Sequence, residues 1–138
     1  MAARDTRTGS VLEQMILPAL EQGSYRCDKQ VNIGTRIGGG RHVVDAVAEK
    51  DGHRWLVSLK WQQVSGTAEQ KVPFEVICLA EAVLAGQFEA AYLVLGGEGW
   101  SLRAFYTGGG LQKHLVTRDK VHIVTLEGFV AKANRGQL

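Results

Sequence analysis

The segment "HVVDAVAEKDGHRWLVSLKWQQ", residues 42–63, limits the possible folds more than any other part of the chain. Two apolar runs flank Asp51-Gly52, a dipeptide suited to a two-residue hairpin turn because both positions accept positive φ. The hairpin makes the two runs neighbouring strands. Alternation along the second strand gives Leu56, Ser58, Lys60 and Gln62 one face, and Val57, Leu59 and Trp61 the other. On the first strand the same rule gives Val43, Asp45 and Val47 a common face. Asp45 and Lys60 therefore meet on one side of the sheet, at the end away from the turn. A plain cross-strand ion pair is one explanation, worth about 0.2–1 kcal/mol when exposed. Two facts argue for more. Both charges lie in apolar strands, where an unpaired charge is costly, and Ser58 and Gln62 enlarge the polar set.

Elements on either side complete the pattern. "SVLEQMILPALEQG" spaces Val11, Leu12, Met15, Ile16 and Leu20 as a helix, with Ser10 and Glu13 as a capping box and Gly23 as its stop. "YRCDKQVNIGTR" reads as a strand and "GGGRH" as a loop. After "SGT", Thr67 and Gln70 form a second capping-box pattern. A helix then carries Phe74, Ile77, Leu79 and Val83 to Gly86, with Pro73 near its start. "AAYLVLGG" is a buried strand. "GWSLRAFYTGGG" reads as a loop with strand character, "LQKHLVTRD" as a short helix, "KVHIVTLEGFV" as a last strand and "AKANRGQL" as a fraying tail. Helix, three-stranded meander, helix and strand give an α/β fold, a mixed central sheet flanked by helices. The 138 residues are read as one domain, 1–138.

Composition excludes some classes. A net charge of +2 from 16 basic and 14 acidic side chains is no polycation, though a polarised surface remains compatible with it. Cys27 and Cys78 have no metal-binding or disulfide spacing and read as free thiols in a reducing cytoplasm. The four histidines have no zinc spacing. No apolar run reaches the roughly 18 residues needed to span a bilayer, and the N-terminus has no apolar signal core. These features lead to the expectation of an intracellular protein without membrane contact.

Asp45, the hairpin and Ser58-Leu59-Lys60 resemble the PD-(D/E)XK nuclease superfamily, whose restriction-endonuclease-like core runs αβββαβ. Residues 10–95 match that order, and "LKWQQVSGTAEQKVP" is similar to a segment of a bacterial and phage branch. The resemblance implies Mg²⁺-dependent (or Mn²⁺-dependent) hydrolysis of DNA phosphodiesters in a bacterial or phage-host cytoplasm, by a restriction-like, homing-type or junction-resolving enzyme. Asp45 and the Leu59 carbonyl would hold the metal, Lys60 would act on the water and the phosphate, and Gln62 could hold a metal-bound water. The family usually carries an acid where this chain has Ser58. Glu75 or Glu69 on the following helix is the expected replacement, and Glu13 matches the family's acidic position on the first helix. Glu13 also reads as a capping-box residue and Glu69 as a first-turn acid matched to the helix dipole. Arg36, Arg41, His42 and Lys71 are candidate DNA phosphate contacts, with solvated loop charges as the alternative. Cutting both strands would need a homodimer or larger oligomer. The other reading is an inactive relative that only binds DNA or joins a complex.

Overall fold

The computed structural model describes residues 6–117 and 119–138. Its five strands form one sheet in the order β1 (Arg26–Thr35), β2 (Arg41–Lys50), β3 (His53–Trp61), β4 (Ala90–Gly96) and β5 (Val121–Thr125). The first three are antiparallel; β4 and β5 run parallel to β3. Helix α3 (Ala68–Leu84) makes the crossover from β3 to β4. The expected αβββαβ order is present, extended by β5 and a terminal helix, α5 (Leu126–Asn134).

Each face of the sheet has its own core. On one, Val72, Val76, Leu79 and Val83 of α3 pack with Leu56, Leu93 and Ile123. On the other, Leu12, Ile16 and Leu20 of the N-terminal helix and Phe129 and Ala133 of α5 pack with Val57, Leu59, Tyr92 and Val94. Strand β4 is buried along its whole length, as its unbroken apolar run requires. The α3 core face differs from expectation in one respect: Phe74 and Ile77 are exposed.

Several local readings change. The N-terminal helix is already formed at Thr6, so Ser10 lies inside it and the Ser10–Glu13 capping box does not exist. It runs through α1 (Thr6–Val11), a π-helical segment (Leu12–Ile16) and α2 (Leu17–Gln22). The π segment, closed by Leu17 N–H donating to the Leu12 carbonyl, lies just before Pro18 and lets the helix continue past a ring that would clash with a regular preceding turn. Thr67 makes no capping hydrogen bond at the start of α3; Ala68 N–H donates instead to the Gln62 side chain at 3.1 Å. "SLRAFYTGGG" contains a short helix, α4 (Arg103–Thr107), and residues 112–114 form only a 3₁₀ turn. The last strand ends at Thr125, whose hydroxyl accepts from Gly128 N–H at 3.0 Å and starts α5. The first half of the expected fraying tail is thus helical, and it buries Ala133.

The hairpin turn forms as expected, with φ of 54° at Asp51 and 82° at Gly52. Alternation beyond it breaks once. Ala46 and Ala48 pack against the α5 side, yet Val44 packs against the α3 side. The same inversion occurs on β1, where Cys27 faces α5 but Val31 and Ile33 face α3. The pairs Lys29–Ala46 and Val31–Val44 bracket the switch, which falls on Gln30 and Asp45. Gln30 has φ 51°, in the left-handed region. Val43, Asp45 and Val47 therefore do not share a face: Val47 is core and Val43 is exposed.

Candidate metal and phosphate cleft

The inversion coincides with a fork in the sheet. Register between β2 and β3 ends at Ala46–Val57, while β2 stays paired with β1 and β3 with β4. In the gap, Leu59 N–H donates to Asp45 Oδ2 at 2.7 Å, so a side chain takes the place of a missing ladder bond. A cleft of about 320 Å³ opens there, lined by Thr8, Arg36, Asp45, Ser58, Lys60 and Glu75 among others. A larger open groove of about 700 Å³ lies between the N-terminal helix and α5, but no charged side chain lines it.

Glu75 enters the cleft from α3 and is 5% exposed. Its Oε1 accepts from the Ser58 hydroxyl at 3.4 Å and lies 3.2 Å from His42 Nε2. Arg36 donates to Oε2 at 3.4 Å. The carboxyl of Asp45 is pushed above its ordinary range, chiefly by burial. The Leu59 amide and the Lys60 charge pull it back, and the nearby Glu75 charge raises it further.

Two carboxylates that repel each other in a desolvated cleft suit a cation. Their oxygens, with the Leu59 carbonyl at the same strand position, form the hard donor set that Mg²⁺ or Mn²⁺ prefers. Among the described residues no group of three or more His, Cys, Asp or Glu could hold a metal, so side chains alone would not complete the shell. Magnesium commonly keeps several waters, and the residues present fit it on those terms.

Other expected site residues lie elsewhere. Glu13 does not line the cleft; it is about half exposed and pairs with Lys29. At about 100° per residue it sits roughly 140° around the helix from Thr8, the residue that the first helix does present to the cleft. Glu69 is buried but accepts from Gln62 Nε2 at 3.1 Å, Leu102 N–H at 3.1 Å and Ser101 N–H at 2.5 Å. With its oxygens so engaged, it anchors the loop before α4 and does not face the cleft. Gln62 is equally committed, donating to Glu69 and the Gly99 carbonyl and accepting from Ala68 N–H. Its side chain is held there and does not line the cleft. His42 is 2% exposed and faces Glu75, so it cannot reach a DNA backbone. Arg36 and Lys71 line the cleft, whereas Arg41 is exposed outside it. Sequence reasoning missed Thr8, Trp61 and Gln30. Trp61 lines the cleft, and Gln30 stands opposite Asp45, where its side chain favours the charged carboxylate. The cross-strand register could have found Gln30, since it is opposite Asp45.

Fold and cleft together define a mixed-sheet α/β protein with an acidic, lysine-bearing site at a strand fork. A family model described as a PD-(D/E)XK nuclease superfamily domain matches residues 4–137, and the chain belongs to that superfamily. No curated protein matches. Among solved structures, a crystal structure of a protein of unknown function is similar at 14% identity and a TM-score of 0.49, covering 80% of this chain. This chain spans 54% of that one's length. No helix among the described residues is long and apolar enough to cross a membrane.

Proposed function

We propose that the protein is a divalent-metal-dependent endonuclease that hydrolyses phosphodiester bonds in DNA inside the cell. The observation that carries this reading is the Ser58–Glu75 hydrogen bond beside Asp45 and Lys60. The strand position where the PD-(D/E)XK pattern has its acid holds a hydroxyl here, and that hydroxyl is bonded to a carboxylate arriving from α3. Asp45, Glu75 and the Leu59 carbonyl would hold Mg²⁺ or Mn²⁺, which when bound would polarise the phosphate and acidify a water.

The protein's own groups do the rest. Lys60 is half-buried and places a compact positive charge beside the carboxylates, where it offsets charge growing on the phosphate oxygens. Arg36 and Lys71 stand at the cleft and position the DNA backbone. A chain with one such cleft cuts one strand at a time, so cutting both strands would take two copies.

Nicking of supercoiled plasmid in Mg²⁺, in Mn²⁺ and in EDTA tests the proposal, with Lys60→Ala and Glu75→Gln beside wild type. Wild type should nick only with metal. Lys60→Ala should lose about 10²–10³ in rate, as expected for one preorganised electrostatic group, and retain most of its DNA affinity. Full activity in EDTA, or an unaffected Lys60→Ala, would end this reading. One observation favours an inactive, DNA-binding relative: Arg36, His42 and Ser58 already occupy the oxygens of Glu75. Tight DNA binding without cleavage in Mn²⁺ would decide for it.

A further inference from the structure

Among the described residues, three that are not glycine have positive φ: Ser24, Gln30 and Asp51. Asp51 is in the hairpin turn, and Ser24 follows the end of the N-terminal helix. Gln30 alone lies within a strand, and a left-handed backbone costs a non-glycine residue about 1–2 kcal/mol. Eight glycines adopt positive φ elsewhere in the chain, including Gly34 on the same strand. If this position were only a kink, glycine would make it without steric strain. A glutamine kept in a strained conformation implies a task for the side chain.

The surroundings supply that task. Gln30 is opposite Asp45, and the two strands exchange faces at this pair. We propose that Gln30 is a positioning residue for Asp45: its left-handed backbone inverts the strands where they fork, and its amide orients the carboxylate toward the cleft. Asp45 Oδ2 is already tied to the Leu59 amide. Gln30, opposite Asp45 in the register, is close enough for its side chain to favour the charged carboxylate, a second polar influence that comes from the other strand. The carboxylate thus stands between β1 and β3, in the cleft that Lys60 and Glu75 also line. Partners of this kind that orient a ligand typically alter metal affinity or activity by about 10–100-fold. The inference rests on the nuclease reading of the same cleft.

Two variants separate the parts of the device. Gln30→Gly keeps the backbone conformation and removes the amide. Gln30→Met keeps the side-chain length and the strain but has no donor. Calorimetric titration of Mn²⁺ without DNA gives a readout independent of cleavage, and melting of the metal-free protein reports stability. Both variants should bind Mn²⁺ about 10-fold more weakly and lose a similar factor in kcat with KM for DNA unchanged, while Gln30→Gly melts no lower than wild type. Wild-type Mn²⁺ affinity in either variant would overturn the proposal, provided Asp45→Asn has lost binding in the same assay. A wild-type protein that neither binds Mn²⁺ nor cuts DNA would overturn the nuclease reading itself, and the role of Gln30 with it.

Discussion

The two halves of the sheet follow opposite rules. From β3 to β5 the strands are parallel, and β4 between them is buried at every position. The β1–β2 hairpin is antiparallel; most of β1 is exposed, and its backbone turns left-handed at Gln30. The regular half has a cross-strand partner for each residue of β4 from Ala90 to Gly96. The irregular half leaves Leu59 N–H without a ladder partner and satisfies it with Asp45. Chemistry-bearing groups collect at the seam because only there does the ladder open and leave polar groups to be paired by side chains. The regular half supplies most of the buried core, and the seam supplies the polar groups that line the cleft.

Breaking the regular half should give the largest effect. Phe129 of α5 is fully buried, and Phe129→Ala should cost about 3–5 kcal/mol in chemical denaturation. Cleavage per folded molecule should stay close to wild type. An equal fall in specific activity would show that the two halves are not separable.

The next effect is at the first turn of α3, where Glu69 ties the segment after β3 to the loop before α4. Glu69→Gln leaves Ser101 and Leu102 N–H with one weaker acceptor and faces Gln62 Nε2 with a possible donor. A loss of about 1–3 kcal/mol is expected, as for a buried group left unsatisfied. A variant as stable as wild type would remove Glu69 from its anchoring role.

At the seam the sign reverses. The folded protein holds the Asp45 proton more tightly than the unfolded chain does, because burial raises its folded-state pKa. Stability from that proton is fully present below the unfolded pKa and is lost as pH rises toward the folded value. Asp45→Asn removes the loss, so in EDTA at pH 7 the variant should melt a few degrees above wild type, and near pH 3 the two should agree. It should also cut no DNA. A variant less stable at pH 7 would mean that the Asp45 charge helps the metal-free fold.

The smallest effect belongs to Glu13. Its pair with Lys29 is solvent-exposed on both sides, and Glu13→Gln should change stability by less than about 1 kcal/mol with cleavage unaltered. A large rate loss would return Glu13 to the site.

The sequence made some of this legible for physical reasons. Asp51-Gly52 announced its turn because few residues accept two positive φ angles in succession. That turn and the strand period brought Asp45, Ser58 and Lys60 together. The face of Val43 and Val47 was misread because the period fails at Gln30, and nothing about a glutamine signals a left-handed backbone. Glu69 and Glu75 are six positions apart, roughly 240° around a helix, so both could not face the cleft. Which one does depends on how α3 rolls against β3, a matter of tertiary packing. Helix α5 was hidden in an apolar run, since strand and helix patterns overlap in short stretches. Leu126, Phe129, Val130 and Ala133 do carry helical spacing once Thr125 is taken as the cap. Gly97 illustrates the remaining kind of hidden constraint: a Cβ there would stand 2.4 Å from the Gln62 carbonyl oxygen, a close approach that no sequence pattern announces.

The Leu59 amide has a use beyond the site. Ladder amides exchange their hydrogen with solvent when the sheet opens, and they report on the fold as a whole. This one is protected by a carboxylate, so its exchange rate follows the state of Asp45. Any ligand that draws the carboxylate away exposes that single amide while its neighbours in β3 and β4 stay silent. A ligand bound through the other lone pairs leaves the amide covered, so hydrogen exchange at Leu59 separates displacement of Asp45 from simple occupancy of the cleft.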